Sequence, residues 1–167
     1  MTYSVRRRIG AAALVTFALS ATALPAHAAD PFVWNFPAGD ACDFELTVEG
    51  TPSAHPVERL HEDSEGNPVR LIQAGKGYAL TFTNESSGAT FSSPSNGGAT
   101  RTEFHPDGSR TVTLTGHNLL IMFPTDVPAG PTTELYVGRV TIDIDTDAVF
   151  TITSSSAKTV DVCEELM

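Results

Sequence analysis

The sequence predicts an all-β fold, built as a single antiparallel β-sandwich or β-barrel domain, and we prefer the sandwich. Apolar residues alternate with polar ones along much of the chain, as in 44–48, 78–82 and 111–115, with Thr and Val enriched. This period of two is typical of strands with one buried face. Turn-forming clusters recur about every ten residues, a spacing typical of sandwiches and barrels. We therefore expect about eight to ten strands.

The first residues are typical of an export signal. Arg6, Arg7 and Arg8 precede the mostly apolar run 9–24, and Ala26-His27-Ala28 is a small-x-small cleavage site. Roughly 15 apolar residues are too few for the ~20 of a spanning helix. We expect residues 1–28 to be a signal peptide, residues 29–41 an N-terminal segment and residues 42–167 one all-β domain. The predicted location is extracellular, with no membrane association after cleavage.

The charge of the predicted mature chain excludes some partners. Removal of residues 1–28 takes away three of the ten basic residues and none of the twenty acidic ones, which leaves a net charge of −13. Such a surface repels phosphate backbones and anionic lipid, so we expect no nucleic-acid partner. The acidic residues are scattered, which favours a role in solubility.

Two cysteines, Cys42 and Cys163, stand near the two ends of the mature chain. An even count in an exported chain predicts one disulfide. Two free buried thiols, or a two-cysteine metal site, are the alternatives. A bridge would close a loop of more than 100 residues and stabilise the fold by about 4 to 5 kcal/mol on the chain-entropy interpretation.

Turn chemistry predicts the register of two hairpins. A loop centred on Pro106-Asp107-Gly108 sets Phe104 opposite Arg110. A loop of Thr146-Asp147-Ala148 sets Ile144 opposite Phe150 and Ile142 opposite Ile152. The stretch 57–63 is compatible with one short helical turn.

Three carboxylates, Asp143, Asp145 and Asp147, suggest a calcium site, but the pattern fails. An EF-hand loop needs Gly at its sixth position and Glu at its twelfth, where this chain has Ala148 and Ser154. Weak binding of a hard cation is the alternative to a solvated outer face, which we prefer. We predict no metal and no cofactor.

No catalytic residue can be assigned from sequence. The histidines after the signal form no His-x-His or His-x-x-x-His pair, and no Gly-x-Ser-x-Gly motif occurs. Carboxylate pairs for glycoside hydrolysis meet only in space, so they stay open as an alternative. The histidines are His55, His61, His105 and His117; the candidate carboxylates are Glu45, Glu49, Glu103 and Asp126.

Phe32, Trp34 and Phe36 alternate just after the predicted cleavage site. Packing against a sheet is the preferred interpretation, with a platform for sugar rings or a mobile tail as the alternatives. The sequon Asn84-Glu85-Ser86 predicts a surface turn. We expect no glycan there, because the export signal looks bacterial.

Four segments of the chain resemble a family of small secreted actinobacterial proteins of uncharacterised role. The segments are Phe36-Pro37-Ala38-Gly39 with Cys42 and Phe44, residues 115–120, residues 135–139 and Asp161-Val162-Cys163. The resemblance implies secretion, a Cys42–Cys163 pair and an all-β domain, and it carries no catalytic residues. His117 stands where that family more often has arginine.

These observations favour a non-enzymatic extracellular binding or interaction module, since small β domains commonly bind through loops or a sheet face. A cell-wall glycan or another extracellular protein is the expected partner. A secreted hydrolase, or a protein inhibitor that inserts the loop 124–131, is the alternative. We expect that loop to be rigid and exposed, and the apolar run 119–123 before it to lie in the core.

Overall fold

A computed structural model describes residues 30–52 and 57–167. The predicted signal peptide, its cleavage site and His55 lie outside the described residues. The described chain forms two antiparallel sheets that are not closed into a barrel. The prediction of a sandwich-like, all-β fold is therefore confirmed.

Eleven strands and one short helix make up the described chain, where the sequence predicted eight to ten strands. In chain order they are β1 (Phe32–Phe36), β2 (Leu46–Thr51), β3 (Val57–Glu62), β4 (Pro68–Lys76), β5 (Ala79–Asn84), β6 (Thr90–Ser93), β7 (Gly97–Phe104), β8 (Arg110–Met122), β9 (Thr132–Ile144), β10 (Phe150–Ser155), β11 (Lys158–Asp161) and α1 (Val162–Glu165). The small sheet has the order β1-β2-β5-β6. The large sheet has the order β10-β9-β8-β7-β4-β3, and β11 also pairs with β9.

The long hairpin of β8 and β9 joins apolar segments that look separate in the sequence. Gly116 and Gly138 face each other in the middle of the hairpin, with φ values of 90° and 142°. Both values lie in the region that favours glycine. A Cβ atom at Gly116 would also collide with the carbonyl oxygen of Gly97. Glycine at this pair lets each strand run for 13 residues.

Both predicted hairpin registers are confirmed. Phe104 pairs with Arg110, Ile144 with Phe150, and Ile142 with Ile152. In the second loop, the Asp145 carboxylate accepts the backbone N–H groups of Asp147 at 2.9 Å and Val149 at 3.0 Å.

The first of these loops is held by a similar carboxylate contact. Asp107 accepts hydrogen bonds from the hydroxyl and backbone N–H of Ser109, at 2.7 and 3.0 Å. These hydrogen bonds lower the pKa of Asp107 because they favour its charged form. The turn residues therefore form hydrogen bonds within their own turn, as turn chemistry predicts.

The interpretation of residues 57–63 as a helical turn is wrong. Residues 57–62 form β3, the edge strand of the large sheet, and pair with β4 along its length. All six residues are exposed, including Val57 at 72% and Leu60 at 52%. Backbone pairing to β4 replaces the local hydrogen bonds of a single helical turn, which is marginal in isolation.

Two hydrophobic clusters stabilise the sandwich. The first lies around the small sheet and includes Leu46, Val48 and Phe82, with Leu119 and Leu135 of the large sheet packed against it. The second lies along β8, β9 and β10, around Val140, Ile142 and Ile144. Within the run predicted to be in the core, Leu120 and Met122 are buried, whereas Phe123 is 37% exposed.

A disulfide joins the ends of the domain, as predicted. Cys42 and Cys163 are bonded with their Cα atoms 5.7 Å apart across 121 residues of sequence. Beside the bridge, the Thr133 hydroxyl donates to the Ala41 carbonyl oxygen at 2.9 Å. The Asn84 amide donates to the Leu166 carbonyl oxygen at 3.1 Å. The small sheet and the C-terminal end of the chain are thus attached at one end of the sandwich.

Replacement of both cysteines by alanine should lower the free energy of unfolding by about 4 to 5 kcal/mol, because the unfolded chain regains the entropy of a long loop. Urea unfolding of the oxidised protein and of the Cys42→Ala, Cys163→Ala variant measures this difference. Reduction of the unsubstituted protein is the control and should give a loss of similar size. Equal unfolding free energies for oxidised and substituted protein would contradict the stabilising role of the bridge.

Candidate functional site

A cleft opens between the two sheets, toward the end of the sandwich away from the disulfide. Phe36 of β1 and Leu46 of β2 lie nearer the disulfide end of the small sheet. Phe32 and Gly50 lie four residues further along these strands, a distance of about 13 Å at the rise of a strand. The cleft has a volume of about 380 Å³, at the lower end of the range of small-molecule sites. Its described lining consists of Phe32, Trp34, Gly77, Tyr78, Leu80, Ser93, Pro94, Asn96, His117, Asn118, Leu119 and Leu135.

Gly50 determines where the ring of Phe32 lies at the cleft. Phe32 pairs with Gly50 across β1 and β2, and a Cβ atom at Gly50 would occupy the position of the Phe32 ring. The ring of Phe32 therefore lies over the backbone of β2. Glycine at this position is required by the close approach of the ring, since any larger side chain would displace it.

Three aromatic rings form a continuous surface at the cleft, which we call the aromatic wall: Phe32, Trp34 and Tyr78. The rings of Phe32 and Trp34 stack with centroids 4.2 Å apart, and Tyr78 meets Phe32 edge-on at 5.0 Å. These are preferred geometries for aromatic pairs. Trp34 is nevertheless 51% exposed, because β1 is an edge strand with a neighbour on one side only.

The three aromatic residues singled out in the sequence have different environments. Phe32 and Phe36 are partly buried against the first cluster, which agrees with the packing interpretation. Trp34 is half-exposed and lines the cleft, which agrees with the platform alternative. Phe36 lies nearer the disulfide end, with its ring 6.3 Å from that of Phe123. All three lie in the ordered strand β1, so the alternative of a mobile tail is wrong.

Polar groups line the side of the cleft formed by the segment before β7. The Asn96 amide donates to the Pro94 carbonyl oxygen at 3.0 Å, and the Ser95 hydroxyl donates to the Gly77 carbonyl oxygen at 2.6 Å. Gly77 also donates its N–H to the Asn96 carbonyl oxygen at 3.0 Å. These bonds tie the segment 94–96 to the residue before Tyr78 and so position the third ring.

The large sheet contributes Asn118 and His117 to the cleft. His117 is exposed, whereas the amide nitrogen of Asn118 is buried and has no hydrogen-bond partner within the described part of the chain. An unpaired buried donor costs about 1–3 kcal/mol. Such a group in a native structure calls for a functional explanation. Asn118 therefore provides a hydrogen-bond donor that the surrounding protein atoms leave unused.

The described lining of the cleft contains no carboxylate, ammonium or guanidinium group, and His117 is exposed beside it. None of the described residues that line it is Asp, Glu, Lys or Arg. This contrasts with the strongly acidic chain around it. The cleft therefore lacks the fixed charges that recognise phosphate, carboxylate or ammonium groups.

The three carboxylates considered for calcium do not converge. The Asp143 carboxylate accepts the Thr111 hydroxyl at 2.7 Å, while Asp145 holds the turn after β9. Residues 30–52 and 57–167 contain no group of three His, Cys, Asp or Glu side chains placed to hold a metal ion. The contacts of Asp143 and Asp145 are those of hydrogen-bonded strand edges and turns.

A hydrogen-bonded chain of His105, Thr111 and Asp143 bears on the hydrolase alternative. His105 Nε2 lies 3.0 Å from the Thr111 hydroxyl, which in turn donates to Asp143. A nucleophilic hydroxyl must give its proton to the base. Here the single hydroxyl proton points to the carboxylate, so the histidine donates to the threonine. This arrangement stabilises the strand ends and does not activate Thr111.

The four carboxylates considered for glycoside hydrolysis occupy different parts of the fold. Glu45, just before β2, and Glu49, within it, are exposed, and Glu103 of β7 forms ion pairs with Arg70 and Arg101. Asp126 is buried in the loop after β8, where it accepts the N–H groups of Phe123 at 2.7 Å and Phe150 at 2.9 Å. Glu103 and Asp126 therefore have evident structural roles.

The loop 124–131 is anchored to the large sheet. Val127 donates to the Phe150 carbonyl oxygen and accepts from the Ile152 N–H, both at 2.8 Å. Most of the loop is exposed, as predicted, but Asp126 is buried. These bonds hold the loop against the edge of β10, which is not the protruding geometry that an inserted inhibitory loop needs.

The sequon lies at a surface turn, as predicted: residues 85–88 are exposed, while Asn84 itself is the last residue of β5 and is buried. Asn84 is 5% exposed, and its amide donates to the Leu166 carbonyl oxygen. Its side-chain oxygen accepts the backbone N–H of Ser86 at 2.9 Å. Asn84 thus joins the turn after β5 to the C-terminus, and its amide is not accessible for modification.

Comparison of the chain with protein-family models, with curated proteins and with solved structures finds no match. The resemblance to a secreted actinobacterial family is therefore carried by the quoted segments alone.

Gly50→Ala should displace the Phe32 ring and so remove the stacking partner of Trp34. We expect Trp34 emission to shift to the red and its quenching by acrylamide to increase, together with a loss of about 1–3 kcal/mol of stability from overpacking. Gly97→Ala is the matched control, since a Cβ atom there meets nothing within 4 Å. Unchanged Trp34 emission in the Gly50→Ala variant would show that Gly50 does not position the aromatic wall.

Proposed function

We propose that this protein is a secreted, non-enzymatic binding module whose ligand site is the cleft between the sheets. The observation that carries the proposal is the position of the single tryptophan. Trp34 is half-exposed, stacks on Phe32 and stands at the mouth of the cleft.

The cleft has the general composition of a ligand site. Such sites are concave, mostly apolar and lined by a few convergent polar groups. Here the aromatic wall faces Asn96, His117 and Asn118. Exposed aromatic surface of this kind is costly in a monomer and is typical of interaction sites. The unused donor of Asn118 supports the same conclusion.

Three features support secretion. Residues 1–28 have the pattern of an export signal, and the chain resembles secreted proteins. The disulfide is consistent with an oxidising compartment. Among residues 30–52 and 57–167, no helix has the length and apolar character of a membrane span.

A binding role is favoured over an enzymatic one by the contacts of the candidate catalytic groups. Thr111 donates to Asp143, which leaves His105 without the role of a base. Asp126 and Glu103 are engaged in structural contacts. None of these groups lines the cleft.

A thermal-shift screen of cell-wall fragments, polysaccharide oligomers and small aromatic compounds tests the proposed site. A ligand at about 100 times its Kd adds about 2.7 kcal/mol, which raises the Tm by several degrees. Trp34→Ala should abolish that rise.

Val33→Ala is the matched control, since Val33 is exposed on the same strand and points to the opposite face. It should preserve the rise. A rise that survives Trp34→Ala, or the appearance of a hydrolysis product, would contradict a non-enzymatic site in the cleft.

A further inference from the structure

We infer that the cleft binds an uncharged sugar ring, stacked on the aromatic wall and hydrogen-bonded to the amides of Asn96 and Asn118. This inference rests on the proposed function and names the class of its ligand. It follows from the charge, the shape and the hydrogen-bonding groups of the cleft.

The absence of fixed charge selects an uncharged ligand. The described lining residues include no Asp, Glu, Lys or Arg. An anionic ligand would find no cation to pair with, and the predicted mature chain carries a net charge of −13 that repels it. A cationic ligand would find no carboxylate in the cleft and could pair only with the faces of the aromatic rings.

The mixture of rings and amides selects a sugar over a wholly apolar compound. One face of a pyranose ring presents polarised C–H bonds, which suit the negative face of an aromatic ring. Its hydroxyl groups lie around the rim and need hydrogen-bond partners. Trp34 offers an exposed ring, while Asn96 and Asn118 offer amides.

The buried amide donor of Asn118 also favours a sugar over a wholly apolar compound. Its amide nitrogen has no partner in the described structure. A purely hydrocarbon ligand would leave this buried group unpaired, which is unfavourable. A sugar oxygen can accept from it after a small rotation of the side chain.

The location of the wall suits a carbohydrate chain better than a protein surface. Trp34 lies on the edge strand β1, so a polymer can reach the ring from the side without threading through the fold. The cleft volume of about 380 Å³ fits a small group. A stable protein interface commonly buries about 800 Å² on each partner.

Isothermal titration of the purified, oxidised protein tests the inference. The probes are cellohexaose and chitohexaose as uncharged sugars, a galacturonate hexamer as a charged sugar, and N-phenylnaphthylamine as an apolar compound. We expect at least one uncharged hexasaccharide to bind. Trp34→Ala and Asn118→Ala should each weaken it about tenfold, and Val33→Ala should leave it unchanged.

The outcomes separate the ligand class from the site. Tighter binding of the galacturonate hexamer, or binding of the apolar probe alone, with loss in Trp34→Ala, would overturn the assignment to an uncharged sugar and leave the cleft as a ligand site. Failure of every probe to bind, or sugar binding that Trp34→Ala does not weaken, would overturn the proposed function as well. Thermal unfolding of each variant confirms that it is folded.

Discussion

The bond between Cys42 and Cys163 is the constraint on which the relation of the two sheets depends. It connects the residues before β2 of the small sheet with the helix that follows β11. Among the described residues of the large sheet, Leu119, Ile121 and Leu135 pack against the core of the small sheet. The bridge holds one end of the sandwich together, and the cleft lies beyond it, with Leu119 and Leu135 in its lining.

Much of the fold could be predicted because it depends on local chemistry. Turn residues set the registers after Phe104 and Ile144, and both agree with the structure. The edge strand β3 was harder to predict, because it is exposed on both faces and so has no alternating pattern. The length of β8 and β9 could not be predicted from the sequence either. Two facing glycines interrupt the apolar pattern without ending the strands.

The site could be predicted only in part, because its residues come from distant segments. Phe32 and Trp34 stood out as alternating aromatics, but their environment depends on Gly50, which looks like an ordinary strand glycine in sequence. Tyr78 joins them through the pairing of β2 with β5 in the small sheet, and Asn118 through the packing of the large sheet against it. In the sequence, Tyr78 is one of the alternating apolar residues of a predicted strand. Nothing in the sequence marks the amide of Asn118 as unpaired. Conversely, Asp126 looked available for chemistry and is a buried anchor.

The most direct test of a sugar site in the cleft is a nuclear magnetic resonance titration of the isotope-labelled, oxidised protein with cellohexaose and with chitohexaose. Sugar binding in the cleft should place the largest shifts on the Trp34 indole N–H, the Asn118 amide and the backbone of Tyr78. Shifts centred on Thr113 and Arg139, on a separate surface of the large sheet, would contradict it. An absence of shifts with both sugars would contradict it equally.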